Sequence, residues 1–476
     1  RHPGLSPGTV APHPLPRRTT AFRTTELPFH SFFPMSQLAS ILNAKLTYLY
    51  GRTGGRGIRL GLDTTLALVR ELGVALDRLP CIHVAGTNGK GSVCAMLESV
   101  LRTAGLRTGL YTSPHLIRFN ERIRVDGAPI PDEDLSRLLG DVEAADARQS
   151  ASGTPGARPG TFFELTTAVA LKWFQEQNVQ IAILETGLGG RLDSTNIVTP
   201  LLSVITEIGI EHTDYLGTTL PEIAAEKAGI IKPSRPVVTG LQRPEAMAVI
   251  EARARETRSP LWRAADHVSI RRTKLDPDGQ TLSVSTASGD AWPPFRLPLL
   301  GDWQLDNCAI ALTALQCLED ILGQPLPGPA VRAGLTLVRW PGRCQILSRD
   351  PLVLLDSAHN PDAAAALAAF LGKFRSGRPV ALLCGMLSDK DAPGFFRRMK
   401  PVVDACLLVP LDTPRNMPMD KLKAAAETAG IPAAEGTLPD GLQRGIAWAR
   451  KRDGILLCAG SLLLSSVVLN ELNVPV

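Results

Sequence analysis

An apolar run, Cys81-Ile82-His83-Val84-Ala85, leads straight into Gly86-Thr87-Asn88-Gly89-Lys90-Gly91-Ser92 and then into an amphipathic segment. The run suits a strand buried on both faces. In the segment that follows, Val93, Met96, Leu97, Val100 and Leu101 recur at helical spacing, and Gly105 supplies a stop signal. Strand, glycine turn and helix in that order gather backbone N–H groups and the positive end of a helix around one point, which suits a polyphosphate. Lys90 adds a mobile cation there. The spacing departs from the common G-x-x-x-x-G-K-[ST] loop, because the first glycine lies four residues before the lysine and Gly91 takes the usual hydroxyl position, moving Ser92 one place along. By itself the loop leaves open a glycine-rich turn with a solvated lysine.

The same rhythm continues. Apolar runs at Thr108 to Tyr111, Ile181 to Leu184, Leu202 to Ile205 and Val237 to Val238 alternate with helix-like segments, which predicts an α/β fold with a parallel sheet covered on both faces. Between about Arg243 and Leu300 shorter alternating stretches such as Leu282-Ser283-Val284-Ser285 predict a small antiparallel addition. After Pro341-Gly342-Arg343 the α/β rhythm resumes at Leu352 to Leu355, Val380 to Cys384, Ala405 to Val409 and Ile455 to Cys458. The expected organisation is a leader over 1–34, an N-terminal domain over 35–340 and a smaller C-terminal α/β domain over 341–476. Ala151 to Gly160 reads as a loop. Residues 1–34 are rich in Pro, Thr, Arg and His without periodicity and are expected to be disordered; an upstream translated leader ahead of Met35 is preferred to a transit peptide.

Several function classes lose support from composition. The formal charge is +5, but the leader concentrates Arg1, Arg17, Arg18 and Arg23 against Glu26 alone, leaving the body close to neutral and without a basic stripe for nucleic acid. The longest apolar stretch, Leu456 to Leu469, is broken by Gly460, Ser461, Ser465 and Ser466 and is too short to span a bilayer. The eight cysteines lie scattered among apolar neighbours with no Cys-x-x-Cys pair, as reduced core residues of a cytoplasmic protein do.

Seven segments then fix the reading: HVAGTNGKGS, YTSPHL, ETGLGGRLDSTN, EHTDYLG, EKAGIIKP, PGRCQI and LLDSAHNPDA, in that order. In these the chain resembles the folylpolyglutamate synthase family, including its bifunctional dihydrofolate synthases, within the Mur ligase superfamily. The resemblance runs from Leu46 to Leu469. It implies a P-loop-type ATPase domain followed by a Rossmann-like domain. It also implies ATP-dependent ligation of L-glutamate to dihydropteroate and to the γ-carboxyl of folylglutamates, through an acyl phosphate, with ADP and phosphate as products. The alternative is a monofunctional folylpolyglutamate synthase.

Site residues follow from the same resemblance. Ser113, Glu185, His212 and Lys227 are implied ligands of magnesium, expected as two ions, with Lys227 carried as an N-carboxylated residue. Lys90, Glu185, His212 and Lys227 are the implied catalytic set. ATP is expected at Thr87, Asn88, Gly89, Lys90, Gly91, Ser92, Asn307, Arg343 and Asp356, and the pterin or reduced folate at Thr161, Phe162, Phe163, Glu164, Leu192, Asp193 and Ser194. The residues agree on chemical grounds at Glu185, an acid ending an apolar strand, where open α/β sheets bind ligands. The chain departs from the family's usual text at Thr186, Ser194, Glu207 and Trp303. The expected partners are small molecules only, bound by a monomer, with no nucleic acid or membrane.

Overall fold

The computed structural model describes residues 37–52, 61–153, 157–287, 289 and 291–475. The expected leader over 1–34 and the boundary at Met35 lie outside the described residues, as does the middle of the Ala151 to Gly160 loop.

The apolar run forms strand β1, Cys81–Ala85, with every residue buried. It sits inside an eight-stranded sheet with β2 (Thr108–Tyr111), β3 (Ile123–Val125), β4 (Ala128–Pro129), β5 (Ile181–Glu185), β6 (Leu202–Ile205), β7 (Val237–Thr239) and β8 (Leu261–Arg263). The order is β4-β3-β2-β5-β1-β6-β7-β8. The strands from β2 to β8 in that order pair in parallel, while β3 and β4 add an antiparallel edge. Parallel neighbours need crossover helices, and these cover both faces. Along β5 the pleat sends Ile181 and Ile183 to one face, against Val93, Leu97 and Leu315 of the helices Lys90–Thr103 and Trp303–Leu322. Ala182 and Leu184 point the other way, toward Leu138 and Phe174 of the helices Asp132–Ser150 and Phe162–Glu176.

The antiparallel addition is shorter than the expected Arg243 to Leu300. Pro244–Glu256 is a helix, and β8 belongs to the parallel sheet. Only β9 (Val268–Asp276), β10 (Gly279–Thr286) and β11 (Phe295–Leu297) form the antiparallel sheet. Proline at the first helical position and buried Ala246, Ile250 and Ala254 at four-residue spacing dictate the helix, and alternation of period two begins only at Val268.

The second unit is a six-stranded sheet of β12 (Gln345–Arg349), β13 (Leu352–Leu355), β14 (Val380–Cys384), β15 (Ala405–Leu408), β16 (Ala433–Glu435) and β17 (Ile455–Cys458). Its order is β12-β13-β17-β14-β15-β16, parallel except for β12. All eight cysteines are free and buried, and burial pushes the Cys81 and Cys308 thiols up to about 12. Among the described residues no helix is long and apolar enough to cross a membrane.

The helix that carries the glycine loop is gripped by a second helix, Gly328–Leu337, through Gly334. A Cβ on Gly334 would stand 2.5 Å from the Val100 Cα and 2.8 Å from the Ser99 carbonyl oxygen, and Ser99 Oγ donates to the Gly334 carbonyl at 2.7 Å. Gly334→Val must prise these helices apart at an overpacking cost of about 1–3 kcal/mol. Thermal unfolding is expected to show a lowered Tm for this variant and an unchanged one for the exposed control Leu337→Ala; equal Tm values for both would refute the packing account.

Candidate active site

Where β1 ends, the chain turns sharply. Gly86 has φ +152° and Gly89 φ +87°, and a Cβ would fall 1.8 Å from Thr206 Oγ1 at the first and 2.3 Å from Asn307 Oδ1 at the second, so only glycine fits either place. The loop is braced from behind. Thr87 and Asn88 donate their N–H groups to the Glu207 carbonyl at 2.8 and 3.3 Å, and Thr206 Oγ1 donates to the Asn88 carbonyl at 2.7 Å. Gln304, a residue sequence reasoning did not assign, donates to Ser92 Oγ at 3.2 Å and accepts from Asn307 Nδ2 at 2.9 Å. No side chain caps the helix Lys90–Thr103, which leaves its first N–H groups and its positive end for a ligand. Lys90 Nζ meanwhile donates to the carbonyls of Gly86 and Thr87 at 3.0 and 3.1 Å.

This loop is one wall of a cavity of about 600 Å³ whose opposite wall comes from the second α/β unit. Thr87 to Ser92, Ser113, Glu185, His212, Asn307, Arg343 and Asp356 all line it, so the structure gathers nearly the whole expected ATP and metal set. Glu185 ends β5 and accepts from the Ser113 N–H at 3.1 Å. Burial raises its pKa, against the opposing pull of Lys90, that N–H and Arg343. Asp356 follows β13. Burial raises it too, opposed by Arg343 and by N–H groups of Ala358 and Cys344, each 2.8 Å from a different carboxylate oxygen. Each oxygen keeps a second lone pair for a ligand.

Lys227 does not line the cavity. It is 4% exposed on the helix Leu220–Ala228 and lies beneath the loop, its Nζ donating to the Gly86 carbonyl at 2.7 Å. Burial first, and then the charge of Lys90, push it down to about 7. His212 sits at φ +53°, partly exposed, its pKa lowered by burial against the pull of Glu211.

Glu211 itself was missed from sequence. Its Oε1 lies 3.3 Å from His359 Nε2 and 3.7 Å from both Lys390 Nζ and His212 Nε2, joining the two units at the cavity. Burial would raise it, but the His359 hydrogen bond and the neighbouring charges of His212 and Lys90 hold it well below the usual carboxylate range. The only signal was an acid adjacent to a singled-out histidine. Among the described residues no three His, Cys, Asp or Glu side chains form a metal cage by themselves.

The expected pterin residues lie apart from this cavity, and most hold the backbone. Thr161 and Glu164 form a reciprocal cap on the helix Phe162–Glu176, and Arg158 grips Glu164 at 2.7 and 2.9 Å. Phe162 stacks on Tyr50 with centroids 5.5 Å apart and carries the Arg122 guanidinium 5.1 Å from its ring. Leu192 accepts at its carbonyl from the Gly61 N–H, Asp193 caps the turn Ser194–Ile197, and Ser194 is buried. Phe163 alone adjoins the cavity, covering Gly187, whose Cβ would meet its ring at 2.5 Å.

Known proteins share this layout. Residues 84–315 match the family described as Mur ligase middle domain, and residues 342–462 match Mur ligase, glutamate ligase domain. The chain is 38% identical to the folylpolyglutamate synthase of Lacticaseibacillus casei, over 85% of this chain and 92% of that one. It is 36% identical to the dihydrofolate synthase/folylpolyglutamate synthase of Bacillus subtilis, over 88% and 96%. The Mycobacterium tuberculosis folylpolyglutamate synthase complexed with ADP and AMPPCP superposes with a TM-score of 0.84 at 30% identity, over 92% of this chain and all of that one. Escherichia coli FolC in complex with DHPP and ADP gives 0.81 at 33% identity, over 92% and 99%. The chain belongs to the folylpolyglutamate synthase family of the Mur ligase superfamily.

Proposed function

We infer that the chain is an ATP-dependent ligase that joins L-glutamate to dihydropteroate, giving dihydrofolate, and to the γ-carboxyl of folylglutamates. One observation carries the reading: an uncapped helix N-terminus with Lys90, the buried Glu185 and the second unit's Arg343 and Asp356 face one cavity. Relatives named for both activities support it.

The chemistry follows from what these groups can do. The helix N-terminus with Thr87 to Ser92 binds the polyphosphate, and Lys90 leaves its loop carbonyls for phosphate oxygens. Arg343 approaches from the opposite wall as a fork on the same phosphate, with Asn307 and Asp356 contacting the rest of the nucleotide. The substrate carboxylate attacks the γ-phosphorus, giving an acyl phosphate and ADP; the glutamate amine then attacks the acyl carbon and phosphate leaves. The pterin end lies toward Thr161, Phe162, Phe163, Glu164, Leu192, Asp193 and Ser194, with Phe163 and Gly187 as the wall between that end and Glu185.

A hard divalent cation fits the residues present, because Glu185 is a buried carboxylate facing the cavity beside Ser113. Ser113 and Glu185 would hold one ion, and His212 with a carboxylated Lys227 a second; magnesium there would supply the positive charge that phosphoryl transfer requires. An ammonium cannot ligate, so Lys227 serves only after carboxylation. Residues 35–340 and 341–476 act as two domains whose closure shuts out water. Both walls come from one chain, which supports a monomer acting on dissolved small molecules, and eight free buried thiols suit a cytoplasmic setting.

Supplied with MgATP, glutamate and either dihydropteroate or a reduced folate, the protein is expected to release ADP and form the mass-shifted product with each. Activity on folate alone would establish the monofunctional alternative, and activity on neither would reject the ligase. Arg343→Ala is expected to lower kcat by about 10²- to 10³-fold with Tm unchanged; undiminished turnover would remove Arg343 from the phosphate site. Carboxylation of Lys227 needs the neutral amine, which is populated above its folded value of about 7 and lost below it. The carbamate signal in ¹³C NMR with labelled bicarbonate should therefore fade as pH falls through about 7, and a carbamate-free, fully active protein would reject the modification.

A further inference from the structure

His83 is buried in the middle of β1, three residues before the turn at Gly86, and no step above uses it. Its Nε2 lies 2.8 Å from Thr195 Oγ1. Thr195 Oγ1 in turn donates to Asp193 Oδ1, which also accepts the Thr195 N–H at 3.0 Å. The other oxygen, Asp193 Oδ2, accepts the N–H groups of Gly187 and Leu188 at 2.9 and 2.8 Å. A hydroxyl has one proton, and here it goes to the carboxylate. Thr195 can therefore only accept from His83, which makes the imidazole the Nε2–H form. Nδ1 is then an acceptor, and it is buried without a hydrogen-bond partner. A positive ring is disfavoured at that place: burial pushes His83 down to about 3.

We propose that His83 is a positioning residue for the carboxylate-substrate side of the site, acting through Thr195 and Asp193 on the Gly187–Leu188 turn. That turn leaves β5 directly after Glu185 and Thr186, lines the cavity at Gly187 and lies against the Phe163 ring. His83, Thr195 and Asp193 are all buried, so losing the first donor leaves Thr195 Oγ1 underbonded and frees the half-exposed turn to shift. The phosphate loop is braced separately, by Glu207, Thr206 and Gly209. The relay thus touches the carboxylate substrate's wall and leaves the nucleotide's wall in place. The assignment of that wall to the carboxylate substrate rests on the ligase reading above.

The test compares His83→Leu, which keeps bulk and removes the donor, with His83→Gln, which restores an N–H at similar reach. His83→Leu is expected to raise KM for the pteroate or folate substrate by about tenfold or more, with KM for ATP within about twofold of wild type, and His83→Gln to recover most of the loss. Thr195→Val should reproduce the His83→Leu effect, and the double variant should add little to either. Unchanged kinetics in His83→Leu, or KM values for all substrates rising together with a lowered Tm that Gln does not rescue, would overturn the proposal. ¹⁵N NMR of the wild-type imidazole reads the relay without any assay: a neutral ring protonated at Nε2 from about pH 5 to 8 is expected, and an Nδ1–H or charged ring would overturn it. Wild-type protein inactive on both substrates, with that ¹⁵N signature intact, would count against the ligase reading and leave the relay standing.

Discussion

Two amines converge on one carbonyl oxygen: Lys90 Nζ at 3.0 Å and Lys227 Nζ at 2.7 Å both donate to Gly86. They must lie within about 6 Å of each other, where two ammonium charges repel by about 3 kcal/mol at an effective dielectric near 20. A hydrogen bond from a charged donor, worth about 1.5–3 kcal/mol, does not offset the desolvation of a group 4% exposed together with that repulsion. The conflict explains why Lys227 is pushed down to about 7. Anions would relieve it, whether a polyphosphate that draws Lys90 outward or, under the proposed modification, a carboxylate on Lys227. The loop is built for a negative partner.

The sheet makes that convergence possible. β5, β1 and β6 are neighbours, so their carboxyl ends deliver Glu185, Gly86 and Thr206-Glu207 to one edge in a single step. Such an edge is where open parallel sheets bind ligands. Glu207 braces the loop chiefly through its backbone carbonyl, so the departure from the family's usual serine leaves the brace intact.

Local pattern made much of this legible. Five-residue strands with nearly all apolar text, such as β1, interrupted only by His83, and β14, need no tertiary information to be found. By contrast β3 and β4 are three and two residues long, too short for a period to show, and went unread. In the site, the loop and Glu185 announce themselves by position. The burial of Lys227 depends on Gly86, distant in sequence, and the partners of Glu211 come from the other unit, so neither could be read from neighbouring residues. Thr161, Glu164 and Asp193 show a further limit, because one residue in a motif can hold the backbone that shapes a pocket without facing it.

The contacts between the two units are of two kinds. Leu275, Leu300 and Trp303 pack into the apolar core of the second unit, where separation exposes hydrocarbon. Around the cavity the links are polar: a Glu211–His359 hydrogen bond and ion pairs of Glu211 with Lys390, Arg243 with Asp362 at 3.4 Å, and Asp302 with Lys373 at 2.8 Å. The last two are solvent-exposed and worth at most about 1 kcal/mol each, because water replaces either partner at little cost. A boundary apolar on one side and polar at the cavity resists separation at the first and yields at the second. That gradient suits the proposed ligase, whose cavity would admit two charged substrates and then exclude water from an acyl phosphate.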